Sequence, residues 1–223
     1  MFDRIEKLIG KENIKKIISK KILLVGVGGV GGTTLETLVR SGIENITIID
    51  NDTFEESNLN RQILANVNVL NNKKVKVGAS RSLLINPDIK IIAKDIFLNK
   101  DNINKIGKFD YIIDACDTTE TKVELIKYAL SNNIKIISSM GMGNRLDPTK
   151  VIITTLSKTS NDPLAKKVKE ELKKAQINNE INVVSSTETP IKSKNIITSM
   201  MPVPSVAGIY LAYYVINDII KSN

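Results

Sequence analysis

Histidine and tryptophan are absent from this 223-residue chain, and cysteine occurs once, at Cys116. Without histidine there is no Ser-His or Cys-His nucleophile system and no histidine metal site. One cysteine excludes a disulfide framework and any multi-cysteine zinc site. Aromatic residues are scarce, with 4 Phe and 5 Tyr, so an exposed platform for base stacking is not indicated. Glycine and proline, 12 and 6, are too few for a collagen-like or low-complexity chain. Long hydrophobic runs are missing as well. The longest, Pro202 to Ile216, falls short of the roughly 20 residues of a spanning helix. With Pro202 and Pro204 at its start, it reads as a buried C-terminal helix. Met1 to Glu6 mixes charges of both signs and has no apolar run. No signal peptide is expected, and the protein is expected to be cytoplasmic and free of membrane.

What is present fits one globular unit. Hydrophobic residues make up 42% and charged residues 25%. A chain of this length buries roughly 70% of its unfolded surface. Lys and Arg number 32 against 24 acids, a formal charge of +8. That excess suits a polyanionic partner such as nucleic acid, although a Lys-, Ile- and Asn-rich composition also produces it.

The order of elements sets the fold class. Residues 3–19 predict a helix with Ile5, Leu8, Ile9, Ile14, Ile17 and Ile18 as its apolar face. Residues 21–27, Lys-Ile-Leu-Leu-Val-Gly-Val, form a short run that is apolar after its first residue and includes β-branched side chains, as in a strand buried on both faces of a parallel sheet. Glycines follow, then a helix over 33–41 closed by Gly42. Further strands are expected at 45–50, 89–95, 109–115 and 134–139. Between them lie helices at 71–85, stopped by Asn86-Pro87, and at 118–131, with Thr118 as N-cap. After Gly143 come a strand at 150–156, a basic helix at 163–175, a strand at 181–186 and the C-terminal helix. The prediction is an α/β protein with a Rossmann-like, mostly parallel sheet and helices on both faces. C-terminal antiparallel strands and a final helix extend it.

Two clusters carry chemistry. Gly26-Val-Gly28-Gly29-Val-Gly31-Gly32 lies between strand and helix, where glycines allow a tight turn and let backbone N–H groups approach a phosphate. Asp50 stands about 20 residues on, where a ribose-binding acid belongs, so these facts alone favour a dinucleotide-dependent oxidoreductase. The second cluster argues otherwise. A polar loop, Asp50 to Gln62, follows the second strand and carries Asp52, Ser57, Asn58 and Arg61, while Lys74 and Asp117 come from other loops or helix starts. Two cations and a carboxylate suit a nucleoside triphosphate with its Mg²⁺ better than a dinucleotide.

This run of glycines, then Asp50-x-Asp52, Ser57-Asn58-x-Asn60-Arg61-Gln62, Lys74 and Asp114-x-x-Asp117, resembles the ubiquitin-activating-enzyme superfamily of ThiF- and MoeB-type adenylating enzymes. The resemblance implies that the loop of Gly26, Gly28, Gly29 and Gly31 holds ATP phosphates and that Asp50 takes the ribose hydroxyls. It further implies that Asn58, Arg61 and Lys74 contact the triphosphate and that Asp117 binds Mg²⁺. Arg4 resembles an N-terminal arginine that reaches the ATP of the partner subunit in a homodimer. Within the superfamily the chain is most similar to the tRNA threonylcarbamoyladenosine dehydratases. That likeness rests on Met140-Gly141-Met-Gly143-Asn144-Arg-Leu-Asp147-Pro148-Thr149, on Lys158-Thr159 with Asp162-Pro163-Leu164-Ala165, on Val183 to Glu188, and on Val203 to Gly208. Leu64 stands where that group often has His, and Thr155 where Asp is common.

The implied organisation is one adenylating domain, 1–223, with a nucleotide-binding part of about 1–143 and a substrate and dimer part of about 144–223. The implied substrate is tRNA carrying a modified adenosine beside the anticodon. A carboxylate on that adenosine is adenylated and then captured by a nucleophile of the same side chain, so no protein thiol is required. Cys116 then reads as a packing residue. The Lys166–Lys174 helix reads either as a tRNA contact or as a solvated face. A sulfur-relay or acyl-transfer protein is a candidate partner of this reaction. The alternatives at this point are an adenylyltransferase for a ubiquitin-like sulfur carrier, a dinucleotide-dependent oxidoreductase, and a nucleotide-binding module without catalysis.

Overall fold

Apolar β-branched runs form strands here because helices cover both of their faces. In the computed structural model, which describes residues 2–192 and 197–222, β1 (Lys21–Val25) and β4 (Tyr111–Asp114) lie at the centre of a seven-stranded sheet. The others are β2 (Asn45–Asp50), β3 (Lys90–Asp95), β5 (Lys135–Ser139), β6 (Val151–Thr155) and β7 (Asn182–Ser186). Their order is β3-β2-β1-β4-β5-β7-β6. All neighbours are parallel except β6 and β7.

Alternate side chains of the central strands feed two cores. Ile22 and Leu24 point toward α3 (Gly29–Arg40), α4 (Lys74–Ile85) and α7 (Pro202–Lys221), where Leu35, Leu38, Leu211 and Val215 are buried. Leu23, Val25 and Ile112 face α5 (Thr119–Ser131) and α6 (Pro163–Lys174), with Val123, Leu125, Val168 and Leu172. Each such side chain contributes about 1.5–3 kcal/mol on burial.

The chain runs from β1 outward to β3 and then returns to the other side of β1 at β4. The direction of winding therefore reverses between β1 and β4. In an open parallel sheet a crevice forms outside the carboxyl ends of the strands at that reversal.

Several expectations need correction. The helix over 3–19 is two helices, α1 (Asp3–Ile9) and α2 (Lys11–Ser19), broken at Gly10, whose φ of +83° is a conformation that favours glycine. α1 buries no residue, and Leu8 is 83% exposed rather than part of an apolar face. The helix after the glycines begins at Gly29, not at residue 33, and α4 begins at Lys74, not at 71. Thr118 occupies the N-cap position of α5, but its side chain makes no capping bond. The C-terminal antiparallel strands expected from the sequence are present as the pair β6 and β7, with β7 lying between β5 and β6 and parallel to β5. Neighbours in a sheet are set by long-range packing, which local periodicity does not encode.

The last helix is longer than expected. α7 has 20 residues and by length and hydropathy alone could cross a membrane. In this fold its small and apolar face is buried. A Cβ on Gly208 would stand 2.4 Å from the Val30 carbonyl oxygen, so this glycine sets how closely α7 approaches α3.

Candidate active site

A cavity of about 830 Å³ occupies the crevice and is lined from the loops after β1, β2, β4 and β5 and from the start of α6. Gly26 turns the chain at φ +88°, and an added Cβ would stand 2.7 Å from the Ala115 carbonyl oxygen. Gly28 and Gly29 line the cavity where α3 begins. The first N–H groups of a helix have no partner within it and attract an anion. Gly31 plays a different part. It does not line the cavity, and a Cβ there would stand 1.9 Å from the Gly26 carbonyl oxygen, so Gly31 seats the helix on its own loop.

The polar loop divides in the same way. Asp50 lines the cavity and also braces it: Oδ2 accepts from the Val27 amide at 2.7 Å and Oδ1 from the Asp52 amide at 2.9 Å. Lys74, only 6% exposed, donates from Nζ to the Asp52 carboxylate at 2.9 Å. Arg61 reaches the cavity with Nη1 donating to the Ser57 carbonyl at 2.6 Å and to Asn60 Oδ1 at 3.2 Å. Asn58 is buried, lines the cavity, and accepts on Oδ1 from the Glu55 amide at 3.1 Å. Ser57 lies outside the cavity lining, its hydroxyl 3.5 Å from Glu55 Oε2. Arg4 is exposed on α1 and does not line the cavity either. The structure therefore brings Gly26, Gly28, Gly29, Asp50, Asp52, Asn58, Arg61, Lys74 and Asp117 together, and leaves Gly31, Ser57 and Arg4 apart.

The floor between β4 and α5 is a buried charge network. Asp114 and Lys122 are both fully buried, with Lys122 Nζ 3.0 Å from Asp114 Oδ2 and 2.6 Å from the Ser139 carbonyl. The other Asp114 oxygen accepts from the Cys116 amide at 3.1 Å and from its thiol at 2.9 Å. Burial, followed by the Asp114 charge, pushes the thiol well above its ordinary pKa, so Cys116 is a neutral donor at pH 7. Its role as a packing residue is thus joined to a hydrogen bond. Lys122 was not singled out from the sequence. The available signal was a lysine three and four residues before Leu125 and Ile126, on the apolar face of a helix.

The opposite wall is held by Arg145, another residue that sequence reasoning passed over. Its guanidinium is buried and donates to the carbonyls of Gly141 at 3.1 Å, Ser186 at 3.1 Å, Asn161 at 3.0 Å and Glu188. Asp162 lies 3.7 Å away, accepts from the Gly141 amide at 2.9 Å and caps α6 through the Ala165 amide at 3.0 Å. The Glu188 carboxylate in turn accepts from the Leu146 and Asp147 amides. Three segments distant in sequence are thereby fixed around one side of the cavity.

No group of three His, Cys, Asp or Glu side chains suited to a metal occurs among the described residues. Asp117 sits on the cavity rim, and among the described residues its carboxylate has no ion pair or side-chain hydrogen bond. One free carboxylate is too little for a protein-only metal cage. It suits an ion such as Mg²⁺ that takes its other ligands from phosphates and water.

A glycine turn at the sheet's reversal, two cations and a free carboxylate together define an α/β protein that binds nucleotide phosphates. The chain belongs to the ThiF family, whose model matches residues 2–222. It is similar to the tRNA threonylcarbamoyladenosine dehydratase of Bacillus subtilis (strain 168), at 35% identity over 240 residues, 99% of this chain and 94% of that protein. The structure of E. coli tRNA N6-threonylcarbamoyladenosine dehydratase in complex with AMP superposes with a TM-score of 0.93 and 32% identity, covering 98% and 93% of the two chains. The same E. coli protein in complex with ATP gives a TM-score of 0.90 at 32% identity, with the same coverage.

Proposed function

We infer that this protein is an ATP-dependent tRNA threonylcarbamoyladenosine dehydratase. The carrying observation is the cavity itself. Its nucleotide half, with the glycine turn, Arg61, Lys74 and Asp117, opens without a partition onto a half built from Met140–Arg145, the start of α6 and Pro190. Met140–Arg145 and the start of α6 are also segments in which the sequence resembles the dehydratases.

In this reading Gly26, Gly28, Gly29 and the first turn of α3 receive the phosphates of ATP. Asp50 takes the ribose hydroxyls. Arg61 and Lys74 stabilise charge on the outer phosphates, with Lys74 exchanging its bond to Asp52 for one to phosphate. Asn58 holds the polar loop that carries Arg61. Asp117 would hold Mg²⁺, which neutralises phosphate charge when bound. The carboxylate of the modified adenosine attacks the α-phosphorus of ATP, an acyl-adenylate forms, and pyrophosphate leaves. A nucleophile in the same side chain then displaces AMP, closing a ring with net loss of water. Binding both reactants in one cavity supplies proximity, and the second step is intramolecular. A protein nucleophile is unnecessary, which agrees with the protonated state of Cys116. Asp52 pre-positions Lys74. Ser57 and Gly31 support the loop and the helix from outside the cavity.

We extend the reading to a cytoplasmic homodimer in which exposed Arg4 reaches the partner's nucleotide, and to a single functional domain over residues 1–223.

The test is AMP formation from ATP and Mg²⁺. AMP should appear only when tRNA carrying threonylcarbamoyladenosine is supplied, and the nucleoside should lose the mass of one water. AMP formation triggered by a ubiquitin-like carrier protein instead would overturn the assignment.

A further inference from the structure

The start of α6 divides two hollows. Lys167 lines the large cavity, whereas Lys166 and Lys169 line a second, shallower groove of about 590 Å³ beside it. Asp162, Pro163 and Pro190 line both, so they form a low ridge between the hollows. Neighbouring lysines on one helix thus serve adjacent spaces.

Their states differ. Lys169 donates to the Thr159 carbonyl at 3.1 Å, and farther along Lys174 is paired with Glu171 at 2.6 Å. Lys166 and Lys167 are exposed and, among the described residues, make no ion pair or side-chain hydrogen bond. The other cations lining the large cavity are engaged: Lys74 with Asp52, Arg61 with Ser57 and Asn60, and Arg145 with four carbonyls. Lys167 is therefore the uncommitted cation on the wall formed by α6. Two carboxylates of this part of the fold are spent, since Asp162 caps α6 and Glu188 holds two backbone amides, and Glu171 on α6 pairs with Lys174.

We propose that the N-terminal half of α6 is the docking edge for the RNA substrate, with Lys167 gripping an anionic oxygen inside the cavity and Lys166 a backbone phosphate in the adjoining groove. The inference rests on the function proposed above and names the surface that serves it. A nucleotide lowered into the large cavity leaves its strand to cross the ridge, and the next phosphate meets Lys166. Two sources can supply the oxygen at Lys167: a backbone phosphate of the RNA, or the carboxylate of the modified side chain. Both pair with an ammonium group as a point charge.

The experiment compares wild type with Lys167→Met, Lys166→Met and the double variant. Lys90→Met, on the far edge of the sheet, controls for net charge. Steady-state AMP formation is measured with full tRNA and with the free modified nucleoside, across a salt series. Both lysines are exposed, so folding should be unaffected, and ATP dissociation constants should match wild type. Each single variant should raise KM for tRNA about tenfold with a smaller change in kcat. Lys166→Met should also lower the steepness of the salt dependence by about one phosphate contact, and Lys167→Met should do the same where its partner is a phosphate. A raised KM for the nucleoside in Lys167→Met assigns that lysine to the carboxylate, and a change confined to tRNA assigns it to a phosphate. A double variant with wild-type KM and salt dependence overturns the docking edge. Wild-type protein that forms no AMP with tRNA overturns the underlying function instead, which separates the two failures.

Discussion

Lys122→Met removes the cation from a site where water cannot replace it. Both members of the Lys122–Asp114 pair are 0% exposed at 3.0 Å, and the substitution roughly preserves side-chain volume. Among the described residues Asp114 would keep only the Cys116 amide and thiol as partners, and the Ser139 carbonyl would lose the Lys122 ammonium as a donor. Breaking a buried pair from one side costs about 3–5 kcal/mol, because an uncompensated charge stays inside. For a chain of this size each kcal/mol lowers Tm by about 2–4 °C, so the melting point should fall by about 6–20 °C.

The assay is urea unfolding of wild type, Lys122→Met, Asp114→Asn and the double variant. The double variant should lose far less than the sum of the singles, since no charge is then left unpaired. The pH dependence has a defined sign. Burial pulls the lysine's pKa down, but the charge of Asp114 and the hydrogen bond it accepts pull the other way, and the net shift is upward. A folded value above the unfolded one means the pair's contribution is complete below the ordinary lysine pKa of about 10.4. It fades as pH rises through the folded value, so stability is flat in this respect from pH 7 to 9 and falls only in strong alkali. The reasoning is refuted if Lys122→Met loses under about 1 kcal/mol, or if the four proteins show additive losses.

Arg61→Ala should leave the melting temperature near wild type, since among the described residues the guanidinium is tied only to Ser57 and Asn60, while lowering kcat by about 100-fold or more; a smaller change in AMP formation removes Arg61 from the reacting phosphates. Gly31→Ala places a methyl 1.9 Å from the Gly26 oxygen and should cost about 1–3 kcal/mol in urea unfolding along with ATP affinity; wild-type values for both would contradict the packing role. Cys116→Ser should retain most activity, because a hydroxyl can still donate to Asp114. The native thiol, held protonated by burial and by Asp114, should react with iodoacetamide more slowly at pH 8 than an unperturbed cysteine, and rapid labelling would count against the shift.

The parallel core was readable because strands buried on both faces have an unmistakable composition, as in Lys21–Val25 and Tyr111–Asp114. The turn at Gly26 was readable because a polar loop and a helix flank it. What stayed hidden depends on contacts between distant residues. Gly10 looked like any residue in an amphipathic run until its positive φ split the helix. Gly31 matched a phosphate-binding glycine, yet its missing Cβ is needed for packing against Gly26 rather than for a ligand. The placement of β7 beside β5 follows from a match of Ile137, Ser138 and Ser139 with Asn182, Val183 and Val184, more than 40 residues away.

Arg145 shows the limit most clearly. In sequence it is one arginine in a polar turn, with no period, cap or partner to mark it as buried. In the fold it serves carbonyls at 141, 161, 186 and 188, and its two acidic neighbours bind backbone amides instead of substrate. A buried guanidinium is tolerable only when its donors are largely satisfied, and four of its five N–H groups have carbonyl acceptors, with the Asp162 carboxylate 3.7 Å from Nη2. The substrate half of the cavity is therefore shaped by backbone oxygens and one cation, and a motif, which records side chains, registers little of it. The same geometry explains why the free lysines of α6 stand out: with Asp162 and Glu188 consumed by the scaffold, positive charge at that edge is left for the ligand.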